Sequence, residues 1–311
     1  MAEHARTRRS AIKLLGASVA GLTLPAVPAY AAAGQRAAKL IPGTDETLPV
    51  IGMGTWQTFN VGGDRVLRND RTEVLRALFA GSGGMIDSSP MYGSSQDALG
   101  YGLKKLGMPS TLFSADKVWT GDGDATREQT VASRQLWNVG RFDLMQVHNL
   151  VAWREHLPTL RAMKDAGRVR YVGITTSHGR RHGDVERILR NEPIDFVQLT
   201  YNVTHRAVED RLLPLARDRG IAVIANRPFD GGRLVKGIQR AGHPLPPWAK
   251  DIGCDHWPAF LLKFIVSHPA VTCAIPATTR VEHMRENKRA ELGPMPDAKT
   301  RQQMVRYVEG L

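Results

Sequence analysis

From Leu48 onward the chain alternates short apolar or β-branched runs with amphipathic stretches of helical length, and no other feature restricts its architecture as much. Eight runs read as strands: residues 50–54, 85–87, 112–115, 144–147, 169–174, 196–199, 221–225 and 271–275. Between them, residues 71–80, 96–106, 126–137, 153–165, 184–189, 208–217 and 257–267 carry the helical period, and further helices start near Arg280 and Asp297. A helix between two strands is the crossover that parallel pairing needs, so the pattern predicts a parallel sheet with helices outside it. Eight such units close best into an α/β fold of the (β/α)8 TIM-barrel type, which commonly takes ~250 residues as one domain. The barrel is assigned to residues 32–311.

Two segments fall outside the repeat. Residues 39–49 predict a short hairpin that plugs the N-terminal face of the barrel, and residues 229–254, rich in Gly and Pro, predict a long loop after the seventh strand. Loops of that length in compact domains usually carry function. The competing architecture, a doubly wound nucleotide-binding sheet, lacks its fingerprint. Gly52-Met53-Gly54 is followed by Gln57 where the third glycine belongs, and there is no GxxxxGK[ST] loop.

The first residues read as an address. Arg8 and Arg9 precede a mildly apolar stretch from Leu14 to Tyr30 that ends at Ala29-Tyr30-Ala31, an A-x-A cleavage pattern. This resembles a twin-arginine export signal over residues 1–31, read by the twin-arginine translocation machinery and leading to a periplasmic or extracellular location. Pro25 and Pro28 interrupt the apolar run, so no stable membrane anchor is expected. The formal charge is +12, yet the cations are scattered and no nucleic-acid-binding signature accompanies them. Part of that charge suits a phosphate-bearing cofactor. Cys254 and Cys273 have no partners at metal spacing, and a disulfide between them stays open. His178 and His182 stand four apart without a third ligand nearby, so no metal is expected.

Chemistry concentrates at strand ends. Asp87, Lys117 and His148 close the second, third and fourth strands, and Tyr92 lies on the loop after Asp87. In a (β/α)8 barrel these positions face one pocket. A phenol with a pKa near ~10 is a poor acid at neutral pH unless a cation stabilises its phenolate. Lys117 can supply that cation, Asp87 can hold Lys117 charged, and His148 can donate to a carbonyl oxygen. The set suits proton transfer to a carbonyl.

From about Leu48 to Asn287 the chain resembles aldo-keto reductases. The matching motifs are residues 48–56, Ile86-Asp87 with Met91-Tyr92-Gly93-Ser94-Ser95, Lys117-Val118-Trp119, residues 143–148, residues 167–174, residues 198–202, and Ile275-Pro276 leading to Glu286-Asn287. The resemblance implies an enzyme, Tyr92 as proton donor, Lys117 and Asp87 as its tuners, and His148 orienting the carbonyl of a small-molecule substrate. It implies hydride transfer from a nicotinamide cofactor bound across the top of the barrel. It places Thr55, Asp87, Thr175, Thr176, Gln198, Asn226, Arg227, Thr278, Arg280, Glu286 and Asn287 against that cofactor, and Trp56 and Trp119 against the substrate. Departures cluster on the cofactor side. Thr175-Thr176 stands for Ser-Asn, Asn226 for a stacking Tyr, Ala277-Thr278 for Lys-Ser, and His283 for Arg. Arg280 can still supply charge for a 2′-phosphate, which favours NADP(H) modestly over NAD(H). A monomeric reductase is the primary expectation. The alternatives are a nicotinamide-binding sensor or scaffold with little turnover, and a barrel acting on an exported sugar or cell-wall intermediate.

Overall fold

A computed structural model describes residues 36–311, so the twin-arginine segment and its boundary at residue 31 lie outside the described residues. Strands β1 (Ala38–Leu40) and β2 (Thr47–Pro49) form an antiparallel hairpin. The barrel strands are β3 (Met53–Gly54), β4 (Gly84–Asp87), β5 (Leu112–Val118), β6 (Phe142–Val147), β7 (Val169–Thr175), β8 (Phe196–Thr200), β9 (Ala222–Asn226) and β10 (Cys273–Ala274). Each pairs in parallel with the next. Parallel bridges from Ile51 to Ala274 and from Gly54 to Ala277 then bring β3 onto β10 and close the ring. Gly52, the first glycine of the apparent nucleotide fingerprint, has a different reason to be small: a Cβ there would lie 2.6 Å from the Met85 carbonyl oxygen.

The surrounding helices are α1 (Arg65–Phe79), α2 (Ser95–Lys105), α3 (Thr126–Trp137), α4 (Trp153–Asp165), α5 (His182–Asn191), α6 (Leu212–Asp218), α7 (Arg233–Ala241), α8 (Trp257–Val266), α9 (Val281–Arg289) and α10 (Ala298–Glu309). Helices α3 and α4 have the expected bounds. Helix α1 starts six residues before the expected Arg71, because the Asp64 carboxylate caps the backbone N–H groups of Val66 and Leu67. The expected helix over 208–217 is broken, with a 3-10 turn at Ala207–Glu209 preceding α6. The segment 229–254 is not a structureless loop. It contains α7 and a 3-10 stretch, Pro247–Ile252, and α7 buries Ile238 while packing Leu234 and Val235 on the core.

Strand periodicity of two sorts the barrel into layers. Ile86, Val118, Val147, Ile174, Val197 and Val223 join the cluster that packs against the helices. Met85, Phe113, Leu144, Tyr171, Phe196 and Ile224 form a second cluster inside the barrel, joined by Ile41 and Leu48 of the hairpin segment. The Phe113, Tyr171 and Phe196 rings pack mutually with centroids 5.5 to 6.1 Å apart. Burial of each large apolar side chain contributes roughly 1.5–3 kcal/mol, and the hairpin completes this floor. Lys39 fastens it, donating to the His268 and Val271 carbonyls at 2.7 and 2.6 Å.

Two residues further along these strands, the same inward direction delivers polar groups: Met85 gives way to Asp87, Leu144 to Gln146 and Phe196 to Gln198, while Phe113 leads through Ala115 to Lys117. Cys254 and Cys273 are free, buried thiols, so the disulfide left open by the sequence is absent. Burial pushes their pKa values up to about 11 and about 12 respectively. Among the described residues, no helix is long and apolar enough to cross a membrane, and no group of three or more His, Cys, Asp or Glu side chains is placed to hold a metal.

Candidate active site

Asp87, Tyr92, Lys117 and His148 meet at the C-terminal end of the barrel. Lys117 Nζ donates to Asp87 Oδ2 at 2.6 Å and to the Ser88 carbonyl at 2.7 Å, with both members of the ion pair buried. The same ammonium lies 5.2 Å from the centre of the Tyr92 ring. Tyr92 closes a 3-10 turn, Pro90–Tyr92, that Ser89 starts by capping Met91 N, and it meets the His148 ring edge-on at 5.6 Å. The other Asp87 oxygen accepts from Gln146 Nε2 and from Gln198 Nε2, both at 3.0 Å. This buried carboxylate therefore has three side-chain donors, which fixes the lysine beneath the phenol.

The electrostatics follow from that packing. Burial opposes the Lys117 charge, but Asp87 and Tyr92 overcome it and raise the lysine pKa, so Lys117 stays an ammonium. Burial raises the Tyr92 pKa, with Lys117 as the main opposing influence. Burial thus keeps the phenol protonated at rest, while the Lys117 charge acts in favour of its phenolate. Burial, followed by the Lys117 charge, lowers the His148 pKa to about 2, leaving a neutral imidazole at ordinary pH.

The tautomer of that imidazole can be counted out. Ser89 Oγ is buried, accepts from Met91 N at 3.2 Å and lies 2.8 Å from His148 Nδ1. The hydroxyl hydrogen has no other acceptor within reach among the described residues, so Ser89 donates to Nδ1. The imidazole proton then sits on Nε2, on a residue that lines the open cleft. Sequence reasoning did not single out Ser89 or Gln146. Gln146 was findable, since it precedes His148 by two and must share its face of the strand.

The cleft above the quartet has a volume of about 320 Å3. Of the expected site residues, Thr55, Trp56, Asp87, Tyr92, His148, Thr175, Thr176, Gln198, Asn226 and Arg227 line it. Lys117 lies behind the wall. Trp119 is 43% exposed and does not line the cleft, and Trp56 is 40% exposed, so neither packs in the core. Thr278, Arg280, Glu286 and Asn287 also lie off the cleft wall. Thr278 instead accepts from Arg280 N, and Arg280 faces Glu282 at 3.9 Å. His178, set aside in the sequence with His182, lines the cleft, as do Asn149, Ser177 and Arg180.

The residues expected on the cofactor side are partly engaged with one another. Asn226 Nδ2 donates to Gln198 Oε1 at 3.2 Å and to the Thr176 carbonyl at 2.8 Å, while Thr200 donates to Asn226 Oδ1 at 2.7 Å. Thr175 Oγ1 accepts from Asn149 N. Thr55 donates to the Asp87 carbonyl and to Ser88. Arg227 is the exception: its buried Nε has no partner, although its Nη2 reaches Asp230 at 3.1 Å. Gly231 and Gly232, both in the left-handed region, line the cleft next to it, and a Cβ on Gly231 would come 3.3 Å from Arg227 Nη2. An unpartnered guanidinium N–H beside a side-chain-free backbone fits the phosphate of a dinucleotide.

The profile of the aldo/keto reductase family matches residues 50–302, the greater part of the chain. The chain belongs to the aldo/keto reductase family. This family is one of oxidoreductases, and the chain is similar to an NADH-specific methylglyoxal reductase of Escherichia coli (strain K12), 27% identical over 234 residues that make up 63% of this chain and 68% of the relative. It is also similar in structure to an aldo-keto reductase from Bacillus halodurans in its holo form, with 17% identity, a TM-score of 0.71 and coverage of 88% of this chain and 96% of that one. An aldo-keto reductase from Klebsiella pneumoniae in complex with NADPH matches at 22% identity and a TM-score of 0.70, over 88% of this chain and 95% of that one. These two likenesses show the barrel fold.

Proposed function

We propose that this aldo/keto reductase transfers a hydride between a nicotinamide cofactor and a small aldehyde or ketone, with Tyr92 as the proton donor in the reducing direction. The observation that carries the reading is the buried Asp87–Lys117 pair directly beneath Tyr92, beside a His148 whose proton is on Nε2. The cofactor, when bound, supplies the hydride. Arg227 and the Gly231-Gly232 backbone would hold its phosphates, and Thr176, Gln198 and Asn226 would border its carboxamide. Arg280 remains available to a 2′-phosphate, which favours NADP(H) over NAD(H) by a modest margin.

His148 Nε2–H donates to the substrate carbonyl oxygen, aligning and polarising it. As the carbonyl carbon is reduced, Tyr92 passes its proton to the oxygen and the alcohol forms. The phenolate left behind lies over the Lys117 ammonium, which Asp87 and the Ser88 carbonyl hold in place. General acid catalysis of this kind contributes on the order of 10²- to 10⁴-fold. Trp56 supplies an apolar wall for the substrate. Tyr92→Phe should reduce carbonyl-dependent oxidation of NADPH or NADH by at least about 10²-fold while cofactor binding, followed by fluorescence, persists. Undiminished turnover in that variant would remove Tyr92 from the mechanism. Wild-type protein that binds cofactor yet turns over no carbonyl compound would instead favour a sensor or scaffold.

Export as a folded monomer through the twin-arginine route is part of the same proposal, on the strength of Arg8, Arg9 and the stretch to Ala31. Replacing both arginines by lysine should retain the protein in the cytoplasmic fraction. Export of that variant at the wild-type level would discount the signal.

A further inference from the structure

Beside the quartet lies a second cavity of about 170 Å3, lined by Asn149, Thr176, Ser177, Arg180 and Arg181. Four of these residues also line the main cleft, so the two spaces share a wall. Asn149 directly follows His148, which puts this cavity beside the group that would hold a carbonyl oxygen. Its lining contains two guanidinium groups, two hydroxyls and a carboxamide, and no carboxylate.

The two arginines differ in commitment. Arg181 Nη1 donates to the Asn149 and Leu150 carbonyls at 3.1 and 3.0 Å, and its Nε donates to Asp184 at 2.9 Å, so it builds the wall. Arg180 has only long contacts, at 3.4 Å, to the Ser177 carbonyl and to His178 Nδ1. Among the described residues it forms no ion pair. Strain is concentrated in the same place: Asn149, Leu150 and Ala152 on one loop, and His178 and Arg181 on the next, are non-glycine residues in the left-handed region. Such conformations cost of order 1 kcal/mol or more each and persist where packing imposes them. The Arg181 hydrogen bonds tie the two strained loops to each other.

We infer that this cavity receives an anionic group, a carboxylate or phosphate, carried by the carbonyl substrate, and that Arg180 is its charge partner. A cofactor phosphate is a less suitable occupant, because Arg227, Gly231 and Gly232 already offer it a place on the loop after β9. The inference rests on the reductase reading above and names the substrate class for that site.

A matched pair of substrates tests it: 4-formylbenzoate and its neutral methyl ester, assayed with the same cofactor. The wild-type protein should prefer the carboxylate in kcat/KM, and the preference should weaken with added salt. In Arg180→Gln the ratio of the two kcat/KM values should fall about tenfold through KM of the carboxylate, with partial recovery in Arg180→Lys. Turnover of both compounds with no charge preference, or an unchanged ratio in Arg180→Gln, overturns the anion subsite and leaves the reductase reading standing. Weaker cofactor binding in Arg180→Gln, with the ratio unchanged, would reassign Arg180 to the cofactor. Turnover of neither compound, nor of any in a broad carbonyl panel, would count against the reductase reading and remove the subsite with it.

Discussion

The two halves of the cleft are built differently. On the side of β4, β5 and β6, Asp87, Lys117 and His148 stand on or next to consecutive barrel strands, and Asp87 is held by three side-chain donors. On the side of β7 to β10, the residues expected to face a cofactor stand at strand ends, on loops and on α9. Several of them bond to one another, and four expected members lie off the cleft wall. The difference teaches where identity is constrained. A proton-transfer group must sit within hydrogen-bond reach of one atom, and here Asp87 and Lys117 are held on strands while Tyr92 and His148 sit in short 3-10 turns directly after them. On the proposed reading, a long dinucleotide makes many separable contacts there, so single positions on that side would tolerate exchange.

The largest expected effect comes from breaking the rigid half. Lys117→Met leaves Asp87 charged and unpaired in the interior, which should destabilise the fold by about 3–5 kcal/mol and abolish turnover. Chemical denaturation checks the first part, and a loss below about 1 kcal/mol would mean that Asp87 takes up a proton or gains water instead.

A smaller effect isolates His148. Its folded pKa is depressed, so it stays neutral as pH falls through the unfolded value near ~6.5. Its contribution to stability is therefore present above that value and declines as pH drops toward about 2. Reductive kcat/KM in the wild type should accordingly show no inflection from His148 between pH 5 and 8. Ser89→Ala should lower kcat about tenfold and shift the His148 ring toward the Nδ1–H tautomer, read from its imidazole nitrogen resonances. Ser89→Thr should restore both. An unaltered tautomer in Ser89→Ala would show that the hydroxyl does not set it.

The smallest effect belongs to the tolerant half. Arg280→Gln should raise KM for NADPH by a few-fold and leave KM for NADH nearly alone, since an exposed charge contact is worth roughly 0.2–1 kcal/mol. Equal changes for both cofactors would withdraw Arg280 from a 2′-phosphate.

The barrel was legible because its signals are local. β-branched runs bounded by helices, read in order, were enough to expect eight parallel strands and to put Asp87, Lys117 and His148 at one end. Helix α7 escaped because its apolar positions, Leu234, Val235 and Ile238, are few, and because Gly231, Gly232 and Gly237 disguise a short helix as a loop. Ser89 escaped for another reason. Its hydrogen bond spans 59 positions in the chain and depends on how a 3-10 turn meets the end of β6. Arg180 is, in the sequence, one more of the scattered cations. Only the fold of the loops after β6 and β7 shows that it borders the cleft without a carboxylate partner. Thr278, Arg280, Glu286 and Asn287 were carried over through resemblance; they stand just before and within α9, outside the cleft lining, a placement that a motif does not encode.

The hairpin at the opposite end makes the barrel a cup rather than a pipe. With Ile41 and Leu48 packed beneath Phe113, Tyr171 and Phe196, the described fold offers water no direct path up to Lys117 from below. On the proposed reading, the proton lost by Tyr92 must be replenished through the same mouth that admits substrate. Recharging of the acid and departure of the alcohol then share one exit, and solvent exchange at the phenol belongs to the release phase of each catalytic cycle.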